Sequence, residues 1–81
     1  MTETTVKVGA SLELRLSALF VQAASKFACE VQLRIGTKTI NAKSIMGVIS
    51  LGILDGQDIT IIADGIDEEN AIEELSRFFA A

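Results

Sequence analysis

Four short stretches of the chain have the spacing or composition of β-strands. Residues 4–8 and 30–35 alternate polar and apolar side chains, which is the period of a strand with one buried face. A Gly-Thr turn at 36–37 lets residues 38–41 return as a short antiparallel partner. Residues 58–63 are rich in isoleucine and threonine, which strands favour. The pattern therefore predicts four strands.

Three other stretches repeat apolar residues at intervals of three and four, as amphipathic helices do. They are residues 14–27, the segment from Ser44 to Gly52, and residues 67–80. Ser44 has the chemistry of an N-cap and Gly52 that of a C-terminal stop. The order β-α-β-β-α-β-α predicts an α+β fold with helices on one face of an antiparallel sheet. The 81 residues suffice for one small domain, which we place at 1–81.

The second predicted helix carries more apolar residues than one buried face requires. They are Ile45, Met46, Val48, Ile49 and Leu51. Residues four apart share a helix face, so Ile45 and Ile49 lie together, whereas Met46 and Val48 point elsewhere. We therefore expect part of this cluster to be exposed. An exposed apolar cluster with a polar rim is typical of a partner-binding surface.

Ser44 has two interpretations. As an N-cap its hydroxyl accepts a backbone hydrogen bond, which contributes about 1 kcal/mol to stability. The same hydroxyl is also a candidate phosphorylation site, with the cation of Lys43 beside it. A phosphate would add a charge of about −1.5 to −2 at neutral pH and change how a partner meets Ile45 and Met46.

Composition excludes several classes of function. The chain has no histidine, so phosphohistidine chemistry and most hydrolytic triads are excluded. Cys29 is the single cysteine, which leaves no disulfide and no thiolate metal cluster. We expect no metal, no cofactor and no independent enzymatic activity.

Charge and hydropathy limit the partners. A net charge of −4 argues against direct nucleic-acid binding, which depends on basic patches. No apolar stretch is long enough to cross a bilayer, and no signal-peptide pattern opens the chain. We therefore expect a cytoplasmic protein without a membrane partner.

Three segments resemble the HPr proteins of the sugar phosphotransferase system. They are L-R-L-S-A-L-F-V-Q, N-A-K-S-I-M-G-V-I-S-L-G and A-D-G-I-D-E-E-N-A-I-E-E-L. The resemblance covers nearly the whole chain and implies the HPr-like fold, an open-faced two-layer sandwich with a four-stranded antiparallel sheet. It also implies a link to carbon catabolite repression or to sugar transport.

The family's phosphocarrier motif is altered in this chain. HPr proteins carry a histidine in a motif of the type G-I/L-H-A-R-P-A, and it accepts phosphate from Enzyme I. Glu13 stands where the family has histidine and Leu16 where it has proline, while Arg15 matches the motif's arginine. The resemblance therefore implies that phosphohistidine transfer is lost. From its position alone, Glu13 is predicted to be a capping acid at the entrance of the first helix.

The family's regulatory motif is retained. In Gram-positive HPr proteins a dedicated kinase/phosphorylase modifies the serine that matches Ser44, and the phosphorylated form binds a LacI-type catabolite regulator. The chain is most similar in type to the branch that lacks the histidine and keeps the serine. The resemblance implies that the partner-binding residues are Arg15, Lys43, Ile45, Met46 and Ile49.

Two alternatives stay open. Glu13 beside Arg15 could imitate a phosphorylated histidine and make the protein a constitutive interaction module. The other alternative, which rests on homology alone, is a phosphocarrier in which a carboxylate would have to form an acyl phosphate. The exposed apolar helix also permits self-association into a homo-oligomer.

Overall fold

The computed structural model describes residues 1–9 and 11–79. Within them, four antiparallel strands form one sheet in the order β1-β4-β2-β3. The strands are β1 (Thr2–Lys7), β2 (Glu30–Ile35), β3 (Lys38–Asn41) and β4 (Asp58–Asp64). Strand β4 is central because it pairs with both β1 and β2. Its residues Ile59, Ile61 and Ala63 are fully buried on one face of the sheet.

Three helices pack against this buried face. They are α1 (Leu14–Ser25), α2 (Ile45–Leu51) and α3 (Glu68–Ser76), and a short 3-10 helix, Arg77–Phe79, follows α3. The order of elements is the one that the hydrophobic pattern predicts. The predicted α+β, open-faced two-layer fold is therefore confirmed.

Aromatic side chains join α1 to the C-terminal segment. Phe20 and Phe79 are fully buried, and their ring centroids lie 5.4 Å apart. The ring of Phe78 meets Phe20 edge-on at 5.3 Å. Because each fully buried large apolar side chain contributes about 1.5–3 kcal/mol, this cluster holds the two helices over the sheet.

The other face of the sheet carries a layer of polar contacts. Glu3 of β1 and Arg34 of β2 reach across β4 and bring Oε1 and Nη2 to 3.8 Å. The hydroxyls of Thr5 and Thr60 are 2.8 Å apart. These side chains shield the middle of β4, so that Ile62 is buried although it lies on the open face.

Two predicted helix boundaries were wrong. Helix α1 ends at Ser25, because the next two amides donate to carbonyls only three residues back and tighten the chain into a turn. The last helix begins at Glu68 and its final turn also tightens, into the 3-10 helix Arg77–Phe79. The predicted end at Ala80 lies outside the described residues.

Candidate partner-binding site

Ser44 is the N-cap of α2. Its backbone is extended, with φ −107° and ψ 117°, and its Oγ accepts a hydrogen bond from the Gly47 amide at 3.2 Å. The helix stops at Gly52, which adopts the left-handed conformation with φ 67° and ψ 61°. Both caps that the sequence predicts are confirmed. The Ser44 side chain is half-buried and lies beside the surface of α2.

The turn before Ser44 is held by Asn41. Its side-chain oxygen accepts from the Lys43 amide at 2.9 Å, and its backbone carbonyl accepts from the Ser44 amide at 3.1 Å. Gly47 faces this turn, because a Cβ at that position would lie 3.4 Å from the Asn41 carbonyl oxygen. A small residue at 47 therefore lets α2 approach the end of β3 closely.

The apolar residues of α2 divide into two sets. Val48 and Leu51 are buried in the core and hold the helix on the domain. Met46 is 73% exposed and Ile49 is 43% exposed, while Ile45 is half-buried. The prediction that part of this apolar cluster is exposed is therefore confirmed. We call Ser44, Ile45, Met46 and Ile49 the α2 ridge.

The start of α1 supplies the charged groups of the region. Glu13 is the N-cap residue of α1, and its carbonyl accepts from the Ser17 amide at 2.8 Å. Its side chain makes no capping hydrogen bond, so any contribution to capping comes from its charge at the positive end of the helix dipole. The residue lies at the cap position with its carboxylate exposed to solvent, as is the guanidinium of Arg15.

A shallow apolar groove connects the start of α1 with the end of α2. Its volume is about 160 Å³, and its walls include Leu12, Leu14, Val48, Ile49 and Leu54. Leu14 is 69% exposed and Leu54 is 57% exposed. Sequence reasoning missed both, although Leu14 stands outside the stripe of α1 that contains the buried Ser17, Phe20 and Ala24. The groove extends the apolar surface of the α2 ridge.

The Lys43 ammonium does not stand free beside Ser44 but is bound by a backbone carbonyl. Its Nζ donates to the backbone carbonyl of Phe27 at 2.7 Å, just beyond the end of α1. Lys43 is thus engaged with a neutral acceptor, whereas Arg15 and Met46 present their ends to solvent.

A carboxylate also binds the segment that connects α1 to β2. Asp67 accepts from the Ala28 amide at 2.8 Å and from the Cys29 amide at 2.9 Å. These bonds, with that to Ala28 the strongest influence, lower the pKa of the Asp67 carboxyl. Burial raises the pKa of the Cys29 thiol.

The described residues contain no group of three or more Cys, Asp or Glu side chains that could hold a metal ion. No helix in the part of the chain that the structure describes is both long enough and apolar enough to span a membrane.

Taken together, the sheet order, the capped serine of α2 and the adjoining start of α1 define a protein of the HPr-like class. The family model described as "PTS HPr component phosphorylation site" matches residues 1–81. The chain belongs to the HPr family of the phosphotransferase system.

Individual relatives agree with this assignment. The chain is 44% identical over 73 residues to the HPr-like protein Crh of Bacillus subtilis, covering 90% of this chain and 86% of the relative. It superposes on the phosphocarrier protein HPr of Bacillus anthracis with a TM-score of 0.93 and 41% identity, covering 98% and 96% of the two chains. A crystal structure of Bacillus subtilis Crh, described as a domain-swapped intertwined dimer, matches with a TM-score of 0.78 and 43% identity. That match covers 98% of this chain and 88% of the other.

These similarities identify an HPr-like protein of the phosphotransferase and catabolite-repression family, and they include relatives of the Crh type.

Proposed function

We propose that this chain is a regulatory HPr-like protein that has lost phosphohistidine transfer and is controlled by phosphorylation of Ser44. The observation that carries the proposal is the combination of a chain without histidine and a capped serine beside an exposed apolar helix face. The protein acts by binding and not as an enzyme, and it works in the cytoplasm.

The proposed modification is a phosphoryl transfer from a nucleoside triphosphate, catalysed by an HPr kinase/phosphorylase. The bond between Ser44 Oγ and phosphorus forms while the bond from that phosphorus to the nucleoside diphosphate breaks. The hydroxyl proton passes to a base of the kinase. Within the part of the chain that the structure describes, Ser44 Oγ accepts one backbone hydrogen bond, of 3.2 Å, and an acceptor does not commit its own hydroxyl proton to the contact.

The proposed partner of the phosphorylated form is a LacI-type catabolite regulator. Met46 and Ile49 supply exposed apolar area, and exposed Arg15 supplies a cation for a carboxylate of the partner. The phosphate adds a charge-assisted anchor that the unmodified protein lacks. Binding energy should therefore depend on both the apolar contact and the modification.

Incubation with an HPr kinase/phosphorylase and ATP, followed by intact-mass measurement, tests this proposal. We expect the mass of one phosphoryl group to appear on the wild-type chain and to be absent from Ser44→Ala. Ser50→Ala is a matched control, because Ser50 is also on α2 but lies within it and is exposed. An unmodified chain, beside a histidine-containing HPr that is phosphorylated in the same tube, would contradict the proposal.

A second candidate is a constitutive interaction module in which Glu13 imitates a phosphorylated histidine. The observation that favours it is the exposed Glu13 carboxylate, which makes no capping hydrogen bond and is therefore available to a partner. Glu13→Gln removes the charge and keeps the shape. A large loss of partner affinity would support this candidate, whereas unchanged affinity would remove it.

The third alternative, a working phosphocarrier, predicts phosphate transfer from phosphoenolpyruvate through Enzyme I. We expect no transfer, since the carboxylate of Glu13 offers no imidazole nitrogen. Acid-labile phosphate on the recovered protein would support this alternative, whereas the unchanged mass that we expect would remove it.

We further propose that the chain can form a homodimer. The support is the intertwined dimer described for Bacillus subtilis Crh at 43% identity. Light scattering across a range of protein concentrations should show a dimer, and a monomer throughout would contradict it.

A further inference from the structure

One peptide group, between Phe27 and Ala28, is held by opposite charges at its two ends. Its carbonyl oxygen accepts from the Lys43 ammonium at 2.7 Å, and its N–H donates to a carboxylate oxygen of Asp67 at 2.8 Å. Both are charge-assisted hydrogen bonds, which are shorter and stronger than neutral ones. A cation at the oxygen and an anion at the N–H polarise the peptide in the same sense, so each bond strengthens the other. We call this arrangement the peptide clamp.

The peptide clamp joins three segments that are distant in sequence. Lys43 directly precedes Ser44 and the α2 ridge, and the clamped peptide lies in the connection from α1 to β2. Asp67 is the N-cap residue of α3, and its second oxygen holds the Cys29 amide at 2.9 Å. A change at Lys43 therefore has a direct hydrogen-bonded route to the first turn of α3.

Lys43 is held by fewer contacts than Asp67, since among the described residues its ammonium donates one hydrogen bond whereas the Asp67 carboxylate accepts two from backbone amides. Across the residues that the structure describes, its ammonium belongs to none of the ion pairs. Its charge is met by a neutral carbonyl, and its long flexible side chain is only half-buried at the edge of a groove of about 220 Å³. A nearby group with a charge of about −1.5 to −2 is a much stronger attractor than a carbonyl oxygen.

We propose that a phosphoryl group on Ser44 draws Lys43 away from the Phe27 carbonyl and so opens the peptide clamp. This inference rests on the proposed function, because it assigns a structural consequence to modification of Ser44. Regulation then has two parts: the phosphate itself, and a loosened connection between α1, β2 and the start of α3. Lys43 acts as a positioning residue whose partner changes with the state of Ser44.

Nuclear magnetic resonance of a chain with phosphoserine installed at position 44 by semisynthesis tests the proposal. This route needs no kinase, so failure of enzymatic phosphorylation would count against the proposed function and leave this test intact. We expect the Phe27 carbonyl carbon to shift upfield as it loses the ammonium. We also expect the Ala28 amide hydrogen to exchange about tenfold faster, since its hydrogen bond is no longer reinforced.

Two variants separate the clamp from general effects of charge. Lys43→Gln should show the shifted Phe27 carbonyl and the faster Ala28 exchange without any phosphate, and phosphoserine should then add little. Lys26→Gln is the matched control, because Lys26 also follows α1 but its ammonium pairs with Glu74 at 3.5 Å. It should respond to phosphoserine as the wild type does.

An unchanged Phe27 carbonyl and Ala28 amide in the phosphorylated chain, with shifts confined to α2, would overturn the proposal. So would an equal response in the Lys43→Gln background, since the effect would then not pass through the ammonium.

Discussion

Replacing Gly65 with alanine tests how the start of α3 is fastened to the rest of the fold. Gly65 follows β4 and has a φ of 155°. A Cβ at this position would lie 2.6 Å from both Cα and Cβ of Cys29. Cys29 is buried and directly precedes β2, so the clash is with the backbone and Cβ of a packed residue and not with the end of a flexible side chain.

The magnitude follows from two costs. Overpacking against an immobile neighbour costs about 1–3 kcal/mol, and a non-glycine residue in a sparsely populated conformation adds about 1–3 kcal/mol. The expected total of about 2–6 kcal/mol is a large share of the roughly 4–12 kcal/mol that a chain of this length has available. The variant should also weaken the Asp67 contacts to Ala28 and Cys29, because Asp67 is two residues further along the chain.

Urea denaturation followed by circular dichroism measures the effect. Gly36→Ala is the matched control, since Gly36 also has a positive φ, 60°, but a Cβ there meets no atom within 4 Å. We expect it to cost about 1–2 kcal/mol from backbone conformation alone. If Gly65→Ala lost no more stability than Gly36→Ala, the close packing of Gly65 on Cys29 would not matter and the reasoning would fail.

Three further predictions concern helix α2 and the Asp67 carboxylate at the start of α3. Ser44→Ala should lower the free energy of unfolding by about 1 kcal/mol through loss of the cap, leaving a folded protein by circular dichroism. Met46→Ala should change that free energy by no more than about 0.5 kcal/mol because Met46 is exposed, whereas Leu51→Ala should cost about 2–5 kcal/mol in the same urea titration. The lowered pKa of Asp67, caused first by the Ala28 N–H, means that its ionised form stabilises the fold above the ordinary aspartate pKa and ceases to do so as the pH falls through the lowered value. Asp67→Asn should therefore lower the urea midpoint at neutral pH, and its deficit should shrink in acid; a deficit independent of pH would contradict this assignment.

The sequence predicted α2 more accurately than the other helices because its boundaries depend on local chemistry. A serine hydroxyl can cap only its own first turn, and a glycine at Gly52 accepts the left-handed conformation without help from the rest of the fold. The end of α1 was misplaced because residues 26–27 keep the helical apolar spacing while their amides already bond three residues back.

The contacts that organise the candidate site could not be read from the sequence. Neither the reach of Lys43 to the Phe27 carbonyl nor the bond from Ala28 to Asp67 has a local signal, because each joins residues far apart in the chain. The groove beside Leu14 and Leu54 likewise exists only once the start of α1 lies against the end of α2. Hydrophobic periodicity assigns residues to a face, but packing decides which faces stay open.

The central claim is that phosphorylation of Ser44 turns the α2 ridge into a binding site. Calorimetric titration of a LacI-type catabolite regulator with the phosphorylated and unmodified chains tests it most directly. We predict an affinity at least about tenfold higher for the phosphorylated chain, the equivalent of 1.4 kcal/mol and in the range of one charge-assisted hydrogen bond. Met46→Ala should reduce this affinity without altering the amount of phosphate. Equal affinity of the two forms, or a phosphorylated chain that binds equally well without Met46, would contradict the account.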